Sequence, residues 1–370
     1  MRRISIAASL LLLSSSVALA DSATIKEAFA NGKASGDITV YTESKDNTGT
    51  TKDSGFTAGS IGVSYSTDTF NGFSGTATFR ANTELTEKEI GDYSGTMAED
   101  AILAEAYIKY EDENAALIIG RQEIDLEWLG DYNEAVVGVL KMIPDTTVVL
   151  GYTNRNAVVG YDEVVDWADI GNGIAGKKQK GTYVLDVKYT GVEGLEVNPY
   201  AYSAPELADF YGLKVSYDTD MYGVTAQYAT SSEDTNITGT KDGDIAHLEA
   251  RLNVMDIALA AGYIKTDKDG IGSIAALGDN LSPMDDGENI YGEDAKTYYA
   301  SIGYEIAGIG LTALYSNTDY QTNLDTDELN LIVDYSFTDE LSANLTYVDS
   351  DSTGTANDYD KVFANLTYAF

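Results

Sequence analysis

Four carboxylates, Glu123, Asp125, Glu127 and Asp131, crowd one short segment, while Arg80, Arg121 and Arg155 are three of the four arginines that follow Arg3. Opposite charges facing each other across a narrow gap would set up a transverse field, which orients and selects dipolar solutes by electrostatics alone. The competing reading is solvated loop acids beside arginines held in local salt bridges. A second charged set, His247, Glu249 and Arg251, alternates with apolar residues. His247 is the only histidine and cysteine is absent, so thiol catalysis, Cys-ligated zinc and multi-histidine metal centres are excluded. His247 reads as one more polar wall residue.

Other motifs carry less. Gly171-Asn172-Gly173-Ile174-Ala175-Gly176-Lys177-Lys178 fits the dinucleotide spacing and most of a phosphate-loop pattern. Lys178 stands where that loop needs Ser or Thr, and a strand-to-helix setting is missing, so the stretch reads as an external loop with a local lysine cluster. Asp267, Asp269 and Gly270, and separately Asp285 and Asp286, supply hard oxygen ligands of the kind calcium accepts, without EF-hand spacing. No cofactor is expected, and a divalent cation such as calcium is the one candidate.

The elements that must position these residues are strands. From Lys33 onward, segments such as Phe73 to Asn82, Met221 to Tyr228, Tyr298 to Ile306 and Leu341 to Tyr347 alternate apolar and polar residues, the period of a sheet with two unlike faces. Their length, about ten residues, suits a tilted strand crossing a bilayer. The last strand alternates Val362, Ala364, Leu366, Tyr368 and Phe370 with Lys361, Asn365 and Thr367. An apolar-faced terminal strand would be a raw edge in a soluble sheet, whereas a closed barrel pairs it with the first strand. The fold class is therefore all-β: a transmembrane antiparallel β-barrel of about 18 strands, with about 16 as the alternative.

The connections support that count. Asn71-Gly72, Glu111 to Glu113, Pro144-Asp145, Gly191 to Glu193, Asp218-Thr219, Asn253-Val254, Ala307-Gly308 and Thr338-Asp339 read as tight turns on one side. The long connections, Thr83 to Asp100, Arg155 to Gly181 and Thr266 to Ala295, all fall on the other. Short periplasmic turns and long external loops are the asymmetry of outer-membrane barrels. In such a barrel Ala246, Leu248, Ala250 and Leu252 face lipid, leaving His247, Glu249 and Arg251 toward a wet lumen. Likewise Arg80 opposes Phe79. A Lys or Arg facing lipid at mid-depth would cost about 2 to 4 kcal/mol. A soluble sandwich would reverse the faces, but these apolar faces are rich in Ala, Gly, Val and Tyr, which fill a thick core poorly.

Composition agrees with this architecture. The 27 tyrosines finish many apolar faces, as at Tyr65, Tyr189, Tyr228, Tyr263, Tyr315, Tyr335 and Tyr347, the place of an interfacial girdle. A formal net charge of -37 repels polyanions, so nucleic acid is excluded as a partner, and it concentrates cations near the surface. Residues 1–20 read as a signal peptide, with Arg2 and Arg3, an apolar stretch and Ala18-Leu19-Ala20 as the cleavage site. Residues 21–32 form a short periplasmic segment with Ile25, Ala28 and Phe29 at helical spacing, and residues 33–370 form the barrel.

Glu27 to Asp37 resembles the opening of the Opr-type porins and the related major-outer-membrane-protein porins. Gly120-Arg121-Gln122 is similar to the strand end before the third external loop of that family, and Ala364 to Phe370 resembles its closing strand. The resemblance implies an eighteen-strand trimeric channel, narrowed by inward-folded loops, that passes small hydrophilic solutes and commonly prefers cations. The third loop here, about Gln122 to Tyr132, is short, so the longer loop Thr266 to Ala295 is expected to share in narrowing the lumen. The expectation is a passive diffusion channel in a Gram-negative outer membrane, in contact with lipid and lipopolysaccharide. The rival is the same barrel with a blocked lumen, serving as an adhesin or a hydrolase.

Overall fold

The computed structural model describes residues 21–172, 180–287, 289–322, 324–353 and 358–370. The expected signal peptide and residues 173–178 of the glycine-lysine stretch lie outside them. After helix α1 (Ile25–Ala30), capped by the Thr24 hydroxyl on the Glu27 amide, the chain is almost entirely strand. In order these are β1 (Lys33–Asn47), β2 (Ser54–Ser66), β3 (Phe73–Glu87), β4 (Ala101–Glu111), β5 (Ala115–Glu123), β6 (Tyr132–Ile143), β7 (Thr146–Val159), β8 (Val164–Asp169), β9 (Thr182–Val192) and β10 (Leu195–Ala204). They continue as β11 (Ala208–Asp218), β12 (Tyr222–Glu233), β13 (Asp244–Val254), β14 (Ile257–Thr266), β15 (Lys296–Ile306), β16 (Ile309–Tyr320), β17 (Leu324–Ser336), β18 (Leu341–Ser352) and β19 (Tyr359–Ala369).

Every pairing between the named strands is antiparallel, and β1 pairs with both β2 and β19. The sheet therefore closes. Among the strands β8 pairs only with the upper half of β7, whose lower half pairs with β9, so eighteen strands form the wall and β8 belongs to an external connection. Closure leaves no sheet edge in the hydrocarbon, where each unpaired backbone group would cost several kcal/mol. At the seam Gly36 and Phe370 exchange two backbone hydrogen bonds of 2.9 Å. A Cβ on Gly36 would stand 2.2 Å from the Gly62 carbonyl oxygen, so only glycine fits.

Side-chain alternation assigns the faces. Val362, Leu366 and Tyr368 of β19, and Phe370 just after it, are exposed while Tyr359 and Phe363 are buried. The exposed side of such a strand is its outer one, with Leu248 and Leu252 of β13, Ile302 and Tyr304 of β15 and Leu331 and Tyr335 of β17 in the same apolar belt. The eight tight turns stand within two residues of where the sequence places them, the one expected at Asn253-Val254 falling at Met255-Asp256 and the one expected at Gly191 to Glu193 at Glu193-Gly194, and the long connections leave the opposite end. Two of the turns, Asn71-Gly72 and Ala307-Gly308, have positive φ at both residues, the hairpin geometry whose twist matches the flanking strands.

Candidate constriction site

The wall opens where β5 parts from β4. Their pairing ends at Ala106↔Arg121, although β4 continues beside β3 to Ala101. Gly120 makes the departure possible, with φ +130 and a backbone so close to the Ala106 carbonyl that a Cβ would lie 2.2 Å from it. The Leu103 carbonyl, which loses its strand partner, accepts instead from Arg121 Nη1 and Trp167 Nε1, each at 3.3 Å. β7 leaves β9 after Thr153 and pairs with β8. The upper ends of β5, β6, β7 and β8 thus form a flap of sheet turned into the lumen. At its tip the Tyr161 ring lies 5.8 Å from that of Tyr41 and its hydroxyl accepts from Asn365, joining inward residues of β1 and β19.

Two loops meet beside the flap. The Ile124 to Asp131 loop buries Trp128 completely, with Nε1 donating to Tyr200 Oη at 2.9 Å, and seats Glu127 on Lys214 Nζ at 2.7 Å. The connection from Asp267 to Ala295 comes in from the other side. The Gly130 amide donates to the Leu277 carbonyl at 3.0 Å, and Asn280 Nδ2 donates to Asp125 Oδ1 at 2.7 Å. The far end of this connection is tied to the wall through Asp286, which accepts from Tyr359 Oη at 2.7 Å and Lys361 Nζ at 3.3 Å. Its apolar members Ile271, Ile274, Leu277 and Leu281 pack with Trp128, Leu129, Val137 and Val139 in one buried cluster. Burial of that set at about 25 cal/mol per Å² holds the loops inside the barrel.

Beneath them is a cavity of ≈ 940 Å³. Among the described residues ten carboxylates line it, against the cations Lys188, Lys214 and Arg251. Those three are already engaged, Lys188 with Glu196, Lys214 with Glu127, and Arg251 with Asp218 and Glu249. The unbalanced charge in the lumen is therefore negative.

The sequence matches the family model described as Gram-negative porin over residues 7–355. The chain belongs to the Gram-negative porins. It is thus an outer-membrane channel protein. The porin shares its fold with crystal structures of Pseudomonas aeruginosa OccK9 (OpdG), at TM-score 0.80 and 14% identity over 93% of this chain and 99% of that one. Acinetobacter baumannii OccAB4 gives TM-score 0.76 and 16% identity, covering 92% and 98%, and Pseudomonas aeruginosa OpdQ 0.73 and 17%, covering 92% and 99%. No curated protein matches the sequence.

Within the porin, the residues singled out by type and spacing separate into groups. Glu123, Asp125, Glu127 and Asp131 all line the cavity. The arginines do not face them. Arg80 donates to Asp37 Oδ1 at 2.6 Å and to Ser60 Oγ at 2.7 Å. Arg121 and Arg155 share Glu134 Oε1 at 2.9 and 3.1 Å, with the Arg121 guanidinium 4.4 Å above the Trp167 ring. Neighbouring carboxylates in register, Arg121↔Glu134↔Arg155, offer a nearer partner than any across the lumen. His247, Glu249 and Arg251 do face inward together. Tyr299 Oη donates to Glu249 Oε2 at 2.6 Å, which commits its one proton, so His247 Nε2 donates to Tyr299 Oη at 2.8 Å.

Two of the four acids considered for calcium are otherwise engaged. Asp269 is paired with Lys241 at 2.6 Å and with Lys268, and Asp286 with Lys361. No group of three or more His, Asp or Glu side chains close enough to hold a metal ion occurs among the described residues. Sequence reasoning missed Glu105, Asp186 and Lys214 in the cavity and Glu134 beneath the arginines. It also passed over Trp128 and Trp167, the only tryptophans of the chain. Both fall in external connections, where a large aromatic side chain signals a loop with something to pack against.

Proposed function

We propose that this porin is a water-filled diffusion channel for small hydrophilic solutes and ions, with a preference for cations. The observation that carries the reading is the cavity charge: among the described residues, ten lining carboxylates and three cations, each cation neutralised by one of those acids. Fixed negative charge in a low-dielectric wall raises local cation concentration and lowers the barrier for cations over anions. The inserted loops set size, the carboxylates set sign, and neither needs a cofactor or a covalent step. Passage is passive.

The assembly follows the family resemblance: three copies in the outer membrane, their apolar belts against lipid and each other and their acidic loops near lipopolysaccharide. Cross-linking in detergent that gives a trimer ladder supports this, and a monomer at every cross-linker concentration opposes it. The filled upper lumen favours one other reading, a blocked barrel acting as an adhesin or hydrolase. Planar-bilayer recording separates the two, because a blocked barrel gives no steady current steps in potassium chloride.

A further inference from the structure

We propose that the constriction is a binding site for elongated organic dications, alkyl chains with an ammonium group at each end. The inference rests on the cation-preferring reading and names the solute class that the same site retains. Glu105, Glu123, Asp125, Asp131, Asp186 and Asp279 line the cavity without a cation partner, and none of them forms an ion pair among the described residues. Glu123 and Asp131 also lack side-chain hydrogen-bond partners there, and Asp131 is open to the lumen.

A second observation points to the ligand's chemistry. Glu127 and Gln122 are 6% and 2% exposed and both line this cavity, and each keeps one buried oxygen, Oε1, with no partner. Gln122 Nε2 donates to the carbonyls of Gly120 and Ala135, which fixes its oxygen as the free end. The unmet groups are all acceptors. The lining cations are spent on Glu196, Glu127, Asp218 and Glu249. A ligand that satisfies such a wall brings positive charge and several N–H donors and no carboxylate of its own.

Two separate acid neighbourhoods select an elongated ligand. Glu123 lies within electrostatic reach of Glu105, Asp125 and Asp131, whereas Glu127 lies near Asp186 and the tyrosines of β10. They converge on no single point, since no three of them are close enough to hold one metal ion. An alkyl diamine can place one ammonium at each neighbourhood and its methylenes along Ile118, Ile124 and Leu126, which line the same cavity.

Isothermal titration calorimetry of the detergent-solubilised porin tests this with 1,5-diaminopentane, lysine, pentylamine and calcium chloride. Lysine is the same chain with an added carboxylate. We expect saturable binding of the diamine, at least about tenfold tighter than that of lysine or pentylamine (about 1.4 kcal/mol). The double variant Glu123→Gln, Asp131→Asn, which removes no side-chain hydrogen bond, should weaken the diamine about tenfold, and so should Glu127→Gln. Retained heat-modifiable migration on gels verifies folding of each variant. Equal binding of lysine and diamine, tighter binding of calcium, indifference to the double variant, or no saturable heat would overturn the proposal. A porin that conducts cations yet gives any of those results retains its channel function and loses only this site.

Discussion

Asp131 stands in the lumen mouth with protein crowded around it, and that confinement together with the charge of Glu163 pushes its carboxyl above the usual carboxylate range. The folded chain therefore binds this proton more tightly than the unfolded chain does, so the contribution of Asp131 to stability rises as pH falls through the native value. Its charge is lost over the same window, ahead of ordinary aspartates near pH about 4. Cation preference should then begin to decline at a higher pH than ordinary aspartates would give, read as reversal potential, and Asp131→Asn should reduce that early loss. Identical pH profiles for the two proteins would refute the assignment. Glu134 is the other decisive residue, since one carboxylate serves both Arg121 and Arg155. Glu134→Gln leaves two half-buried guanidiniums without it, and we expect a loss of about 1–2 kcal/mol after solvent screening. The check is the urea midpoint followed by tryptophan emission, which Trp167 over Arg121 should report. None of this pairing was legible from spacing. The acids and arginines were visible, but partner choice depended on strand register, which places Glu134 between the two arginines.

Among the elements, the tight turns and the seam were readable because their chemistry is local. Asn71-Gly72 and Ala307-Gly308 adopt the same left-handed pair, yet alanine resists φ +52 where asparagine tolerates +52. Ala307→Asn should therefore stabilise the barrel by up to about 1 kcal/mol, seen as a higher urea midpoint. A lower midpoint would mean that the turn is not strained. Gly36→Val should act in the opposite sense, costing about 1–3 kcal/mol because the Gly62 carbonyl at 2.2 Å cannot give way. Unimpaired heat-modifiable migration of that variant would contradict the seam geometry. The segment Ala115 to Ile119 shows why the flap was harder to foresee. It is apolar on both faces, with Leu117 and Ile119 exposed and Ala116 and Ile118 buried, because lipid lies on one side and the inserted loops on the other. Alternation reports a face only when its two sides meet different media. β8 left no such mark, since a short ribbon packed inside a lumen has no constant inner and outer side.

At the scale of the whole molecule, the eighteen-strand closure, the division of short and long connections and the two-faced strands were all available from period and turn chemistry. They repeat around the barrel, so an error at one strand is corrected by its neighbours. The filled upper lumen was only partly available, because loops converge through tertiary contacts such as Gly130 with Leu277 and Asn280 with Asp125, which no periodicity encodes. What those contacts create is a cavity whose cations are all neutralised and whose remaining charge is carboxylate. Single-channel recording of the purified porin under a potassium chloride gradient tests that claim most directly. Discrete current steps are expected, with a reversal potential on the cation side that Glu123→Gln with Asp131→Asn reduces. Steps that reverse on the anion side, or a protein that inserts and carries no current, would contradict it.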